Sequence, residues 1–495
     1  MFLDTLISLD PVASALVERA RVRGAYLIWR AQERTCARVL VRAGRVEDVA
    51  TSVSSGHGIH VVDEHGGGAL ASRDDFHGEP ALGLFDRALE AAGHAHRLGV
   101  PPAFLSGLAP ERARLQPPGL EAYRRFDPSR AGKRLAELEA EIAARAPGLT
   151  TTLALSTDVD AWRVVRSDGG DVAWVMPRCV LRFSASSRGT ERHTVGASVS
   201  GPSPDLLDDP AKVATFLARA EGAARLAAAL PDAPSHPAGS YPLVIDYALA
   251  KGLAHEAFGH ASEADGFRSS VLAKDGRFRS GDTVGAPHVS IVDEPVEGDH
   301  AWQPYSSSGV PRDRATIVDR GRLADALTDP WSAPMSGARL TGADRAESFR
   351  VAPLPRMSNI RIEIEGASPA QGAFEDYGPE EVRELLASSG VLARHPEVVY
   401  LSGYSGGQVN PTTGDFVFNC KAIYTLGAGK IRLHKPAIFS GSMFGALHAI
   451  REGYGPLLLD AIGTCGKWGQ SVPSSGGSHY FLVLEPAPTV RLGGR

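Results

Sequence analysis

Two histidines and a glutamate fall within six residues of this chain, His255-Glu256-Ala257-Phe258-Gly259-His260, in a segment whose apolar residues repeat with helical spacing. No other feature restricts the local backbone as tightly. Neutral imidazole nitrogens bind zinc well, and a carboxylate beside them can take the proton from a metal-activated water as it attacks an amide carbonyl. The common zinc-binding pair has its histidines four residues apart. Here they are five apart, which turns them about 140° from each other on an ideal α-helix. Both can face one metal only if the helix widens, and an i→i+5 π-bulge is the means of doing so. The spacing therefore predicts a π-bulge, with Gly259 tolerating the distortion.

The flanking residues place this motif. Residues 241–246 (YPLVID) read as a short buried strand, and 248–265 as a helix with Leu249, Leu253 and Ala257 on one face. A catalytic zinc site usually has three protein ligands and an open position. The third donor could be Glu263, Asp265, His288, His300, Cys420 or Cys465. Cys465 sits in Gly463-Thr464-Cys465-Gly466-Lys467, where glycines admit close backbone approach and a lysine favours thiolate. A buried small hydrophobe is the other reading of a lone cysteine, just as a structural pair on a buried helix is the other reading of the two histidines. The residues alone leave both open.

Composition sets wider bounds. A chain of 495 residues that is 43% hydrophobic and 22% charged is expected to form two to four ordinary domains. Its net charge of −5 is spread along the sequence, without the basic footprint of a nucleic-acid binder. No stretch approaches a membrane span, and Asp4 and Asp10 interrupt the apolar N-terminus, so neither a membrane location nor an export signal is expected. Four widely spaced cysteines, at 36, 179, 420 and 465, do not form a disulfide framework and suit a cytoplasmic protein.

The fold class read from the pattern is α+β. An N-terminal α/β sandwich-like domain is expected over 1–115, with strands at 25–30 and 37–41, a glycine-rich hairpin at 65–68 and a helix at 82–97. Prolines between 100 and 128 mark a boundary. A middle α+β domain over 128–232 has helices at 131–145 and 209–230 around strands at 150–156, 162–166, 172–175 and 178–184. A strand-rich C-terminal domain over 238–495 carries the metal-binding helix and a helix at 379–388. Gly403-Tyr404-Ser405-Gly406-Gly407-Gln408 is not followed by a helix, so it reads as a turn into a strand, not a nucleotide-binding loop. Arg350 and Arg356 are candidates for a substrate carboxylate, with structural salt bridges as the alternative.

Over nearly its whole length the chain resembles the TldD/PmbA family of metallopeptidases, and within it the TldD-like branch that keeps the metal site. The resemblance rests on HEAFGHASEAD at 255–265, GADRAESFRVAPLPRMSNI at 342–360, GYSGGQVNPTTGDFVFNCKAIY at 403–424 and GTCGKWGQSVPSSGG at 463–477, with a further block over 24–92. It implies that His255, His260 and Cys465 bind one zinc ion, iron being an open alternative, and that Glu256 is the general base. It favours Cys465 over Cys420. It implies a cytoplasmic hydrolase of unfolded or small peptides, working with a PmbA-like heterodimer partner or as a homodimer. Gly406, Gly407, Gln408 and Asn410 are the expected substrate contacts, on a strand edge that could pair with an extended peptide. The alternatives are a non-catalytic peptide-binding subunit of such a complex, a cysteine hydrolase using Cys465, and a metal-dependent tailoring enzyme for a peptide-like metabolite.

Overall fold

A computed structural model describes residues 2–97, 108–189 and 191–493. The first half of the chain builds a seven-stranded sheet. Its central strand, Tyr26–Arg42, pairs antiparallel with Arg45–Val62 on one side and with Thr150–Arg166 on the other. The strands expected at 25–30 and 37–41 are thus a single strand. The polar residues between them interrupt the apolar pattern but not the ladder, because neighbours on both edges satisfy the backbone. For the same reason the four short strands expected between 150 and 184 are two long ones, Thr150–Arg166 and Asp171–Ser186.

Pairing between Tyr26–Arg42 and Thr150–Arg166 runs from Ile28 opposite Arg166 to Arg42 opposite Thr152. Residues expected in separate domains over 1–115 and 128–232 therefore share one sheet. The expected boundary at 100–128 lies partly outside the described residues, and beyond them the prolines flank the short strand Arg112–Leu115, which joins the same sheet. Prolines break helices, but strands on either side of them remain free to pair.

Two helices cover one face of this sheet. Pro128–Arg145 is capped by Asp127, whose side chain accepts from Ser129 N, and Pro210–Ala229 by Asp209, which accepts from Ala211 N and Lys212 N. Each starts with proline at its first turn, where a missing N–H costs nothing. Together they bury Val39, Leu153, Leu155, Leu181 and Phe183.

The C-terminal half is dominated by a thirteen-stranded sheet. The short strand Leu243–Asp246 lies near its middle, antiparallel to Gln470–Leu484 and parallel to Glu397–Asn410. Both neighbours carry segments singled out in the sequence. The helix expected at 379–388 is present as Pro379–Ser388. The glycine-rich 403–408 segment is not a separate turn. It lies inside the strand Glu397–Asn410, where the register shifts between Tyr404 and Gly407, so a bulge bends the strand there.

Candidate metal centre and cleft

Asp246 ends the central strand and starts the motif helix. Its Oδ1 accepts from Leu249 N at 2.9 Å, capping the helix, while Oδ2 accepts from Gly403 N at 2.5 Å and ties the cap to the neighbouring strand. The helix is α-helical over Tyr247–Gly252 and π-helical over Leu253–Gly259. His260 N bonds to His255 O, the i→i+5 contact that the histidine spacing requires. The two imidazoles meet edge to face with ring centroids 5.2 Å apart.

Gly259 serves this helix differently from the expectation. Its backbone is ordinary right-handed helix, φ −57°. A Cβ there would lie 1.8 Å from Met357 Sδ, so glycine is required by close packing and not by backbone freedom. Gly252 is a second close approach, where a Cβ would come within 2.6 Å of the Tyr404 ring. That proximity lets the Tyr404 hydroxyl donate to Glu256 Oε1 at 3.0 Å.

The third group arrives on the hairpin formed by Gly463–Lys467 and Gln470–Leu484, whose second strand pairs with Leu243–Asp246. Cys465 points inward and is 1% exposed. Its Sγ lies 3.8 Å from His260 Nε2. One donor atom each from His255, His260 and Cys465 lies within 4.8 Å of the other two. Two ligands on a tetrahedral zinc, one nitrogen and one sulfur, stand about 3.6 Å apart, so the Cys465–His260 separation fits. His255 Nδ1 is buried without a hydrogen bond. Two imidazoles and a thiol form a donor set suited to zinc in preference to magnesium or calcium.

The surrounding charges act differently on the three donors. Burial, then Lys251 and His260, hold the His255 pKa well below the ordinary histidine value, so its ring is neutral. Burial also opposes charge on His260, but Glu263 and Cys465 outweigh it and hold that pKa well above ordinary. Burial would raise the Cys465 thiol; His260 and Arg356 overcome it, and the pKa is lowered. The two groups thus shift each other in opposite directions, the imidazole upward and the thiol downward.

Of the other third-donor candidates, none joins the histidines. Glu263 stands behind His260, with Oε2 3.1 Å from Nδ1, and is itself held by Lys467 Nζ at 2.9 Å. Asp265 pairs with the same lysine at 2.7 Å. Cys420 is buried in the strand Asp415–Gly427 and faces Ala437 O. His300 lines a different groove, beside Arg34 and Arg178. Arg350 forms a surface salt bridge with Asp74 at 2.8 Å. Arg356 is fully buried, and its Nε donates to Cys465 Sγ at 3.3 Å, so it clamps the cysteine and is not available to substrate.

His255, Glu256 and His260 open into a cleft of about 940 Å³ between the two halves of the chain. Glu256 Oε2 is 3.9 Å from His260 Nε2. One wall carries Val195–Ser198 from the edge strand Thr194–Gly201, whose carbonyls are capped by cations: Lys421 on Gly196 O, Arg219 on Ser198 O and Lys212 on Ser200 O. The opposite wall is the strand Glu397–Asn410. Beyond Leu401 it has no strand partner on the side of Leu243–Asp246 among the described residues. Gly406 and Gly407 line the cleft, but Gln408 and Asn410 do not. Asn410 instead accepts from Thr412 N in the turn that follows. Sequence reasoning missed Tyr404, Lys251 and the clamp by Arg356. Only Lys251 left a visible signal, a lone cation in an apolar helix four residues before His255.

A family profile described as PmbA/TldA metallopeptidase C-terminal domain matches residues 238–456. A metalloprotease of Methanocaldococcus jannaschii is 30% identical over 63% of this chain and 63% of its own length. A TldD homologue of Haemophilus influenzae, named as a metalloprotease, is 32% identical over 50% of this chain and 48% of its own. The match thus spans about half to two thirds of these relatives. Among solved structures, TldE from Thermococcus kodakarensis superposes with a TM-score of 0.75 at 14% identity, over 98% of this chain and 100% of that one. A Thermotoga maritima protein described as a putative modulator of a DNA gyrase gives 0.72 at 16% identity, over 98% and 99%. At those identities the likeness concerns the fold. No helix of the described residues is long and apolar enough to cross a membrane.

Proposed function

Because this chain belongs to the TldD/PmbA family, we propose that it is a zinc-dependent peptide hydrolase of the TldD-like branch, with His255, His260 and Cys465 holding the metal and Glu256 as general base. The observation that carries this reading is the convergence of those three donor atoms within 4.8 Å of one another, with both histidines and the Glu256 carboxylate lining one cleft and Cys465 buried behind them. A bound zinc ion would supply Lewis acidity to a substrate carbonyl and to water. Glu256 takes the proton of the attacking water on Oε2 and passes it to the leaving amine. Tyr404 holds the other oxygen of Glu256, which keeps the carboxylate turned toward His260. Glu263, itself anchored by Lys467, fixes the tautomer and orientation of His260, as a carboxylate behind a coordinating histidine does.

The outer edge of Glu397–Asn410 suits an extended peptide bound through main-chain hydrogen bonds. With Gln408 and Asn410 outside the cleft, Gly406 and Gly407 contribute backbone and open space, not side chains. A PmbA-like subunit or a second copy of this chain completes the working assembly, and solution mass with and without such a subunit tests that.

Metal content per chain tests the site. About one zinc per chain, reduced in Cys465→Ala, is expected. Glu256→Ala should keep its metal and lose cleavage of an unstructured peptide. Cleavage that survives chelation would instead mark Cys465 as a nucleophile.

A further inference from the structure

Most of the ionised groups lining the cleft are already partnered, Arg225 by Glu221 at 3.8 Å. Asp246 is committed to two backbone N–H groups, and Glu375 and Asp460 both pair with Arg219, at 2.6 and 2.8 Å. The remaining carboxylate of the lining is Glu256. Against it stand two ammonium groups, Lys251 and Lys421, neither of which forms an ion pair with a carboxylate of the described residues. Lys421 is spent on Gly196 O at 2.7 Å. Lys251 is the unusual one. It is 5% exposed, lines the cleft one helical turn before His255, and makes a single hydrogen bond, to Ser474 Oγ at 3.2 Å.

A buried ammonium has three donors, and a hydroxyl satisfies one of them. Burial lowers the Lys251 pKa, with Glu256, Cys465 and Asp299 offsetting this from a distance and none of them in contact. A charge held this way is costly unless something neutralises it. Its neighbours on the helix, Ala250, Leu253 and Ala254, are buried apolar residues and offer the ammonium no partner.

We propose that Lys251 is a specificity residue that binds a substrate carboxylate close to the scissile bond, so that the cleft selects peptides that present a carboxylate there. This rests on the peptide-hydrolase reading and adds the class of peptide. The carboxylate can be a free C-terminus or an aspartate or glutamate side chain.

The test measures binding of short unstructured peptides to full-length protein carrying Glu256→Gln, which blocks cleavage. Four otherwise identical peptides end in a free acid or an amide and carry an internal glutamate or glutamine. At least one acid form should bind about tenfold or more tightly than its neutral counterpart, a charge-assisted hydrogen bond's worth. Which pair differs identifies the source of the carboxylate. Lys251→Met, near in volume and suited to an apolar helix, should abolish the preference while leaving zinc content unchanged, and Lys251→Arg should restore part of it. Peptides that bind without preference, or a preference that survives in Lys251→Met, overturn the role of Lys251 alone. Failure of every peptide to bind overturns the peptide-hydrolase reading and this inference with it.

Discussion

Glu263 Oε2 lies 3.1 Å from His260 Nδ1, while Cys465 Sγ lies 3.8 Å from the Nε2 of the same ring. One imidazole thus joins a buried carboxylate on one ring nitrogen to a buried thiol on the other. Lys467 holds that carboxylate from behind, at the end of the strand that also carries Cys465. The hairpin supplies both the thiol and the cation that fixes the histidine's orienting partner.

Glu263→Gln keeps the shape of this arrangement and removes its charge. Zinc affinity should fall about 10–100-fold, as read by competition with a chelator of known affinity. An unchanged affinity would mean that the π-helix alone orients His260.

Gly259→Ala forces a Cβ toward Met357 Sδ at 1.8 Å. The expected loss is about 1–3 kcal/mol, measured by denaturant unfolding. In combination with Met357→Ala the loss should be smaller than the sum of the two single losses, because the shorter side chain vacates the contact.

Tyr404→Phe deletes the hydroxyl that donates to Glu256 at 3.0 Å. Metal content should stay constant while peptide cleavage drops about tenfold, the worth of one hydrogen bond to a charged group. Loss of metal as well would assign Tyr404 to the scaffold.

Acid should weaken the sheet of the first half through His57. Trp29 Nε1 donates to His57 Nδ1 at 3.1 Å, and burial pushes the His57 pKa down to about 4. The unfolded chain protonates near pH 6.5. Between these values the unfolded state binds more protons, so the contribution is complete above pH 6.5 and is lost as pH falls toward 4, by at most about 3 kcal/mol. His57→Gln keeps an acceptor for Trp29 without titrating. The fall in Tm between pH 6.5 and 4 should be shallower in that variant.

What the sequence determined on its own was local. Five-residue spacing of His255 and His260 demanded a π-turn, because no α-helix brings them together, and Leu253–Gly259 is one. The helices read at 131–145, 209–230 and 379–388 are present as Pro128–Arg145, Pro210–Ala229 and Pro379–Ser388, each starting at a proline. What tertiary structure decided was long-range. The long strand Tyr26–Arg42 exists because its hairpin partner Arg45–Val62 and the distant strand Thr150–Arg166 satisfy both its edges, and the second pairing merges segments on either side of the prolines. Cys465 reaches His260, more than two hundred residues away, because its hairpin pairs with the strand that feeds the motif helix. Cys420 is left in the core by the same sheet. The positions of Lys251, Tyr404 and Arg356 relative to the site depend on which strands lie beside Leu243–Asp246, and strand order is set by burial of the whole sheet, which no local spacing encodes.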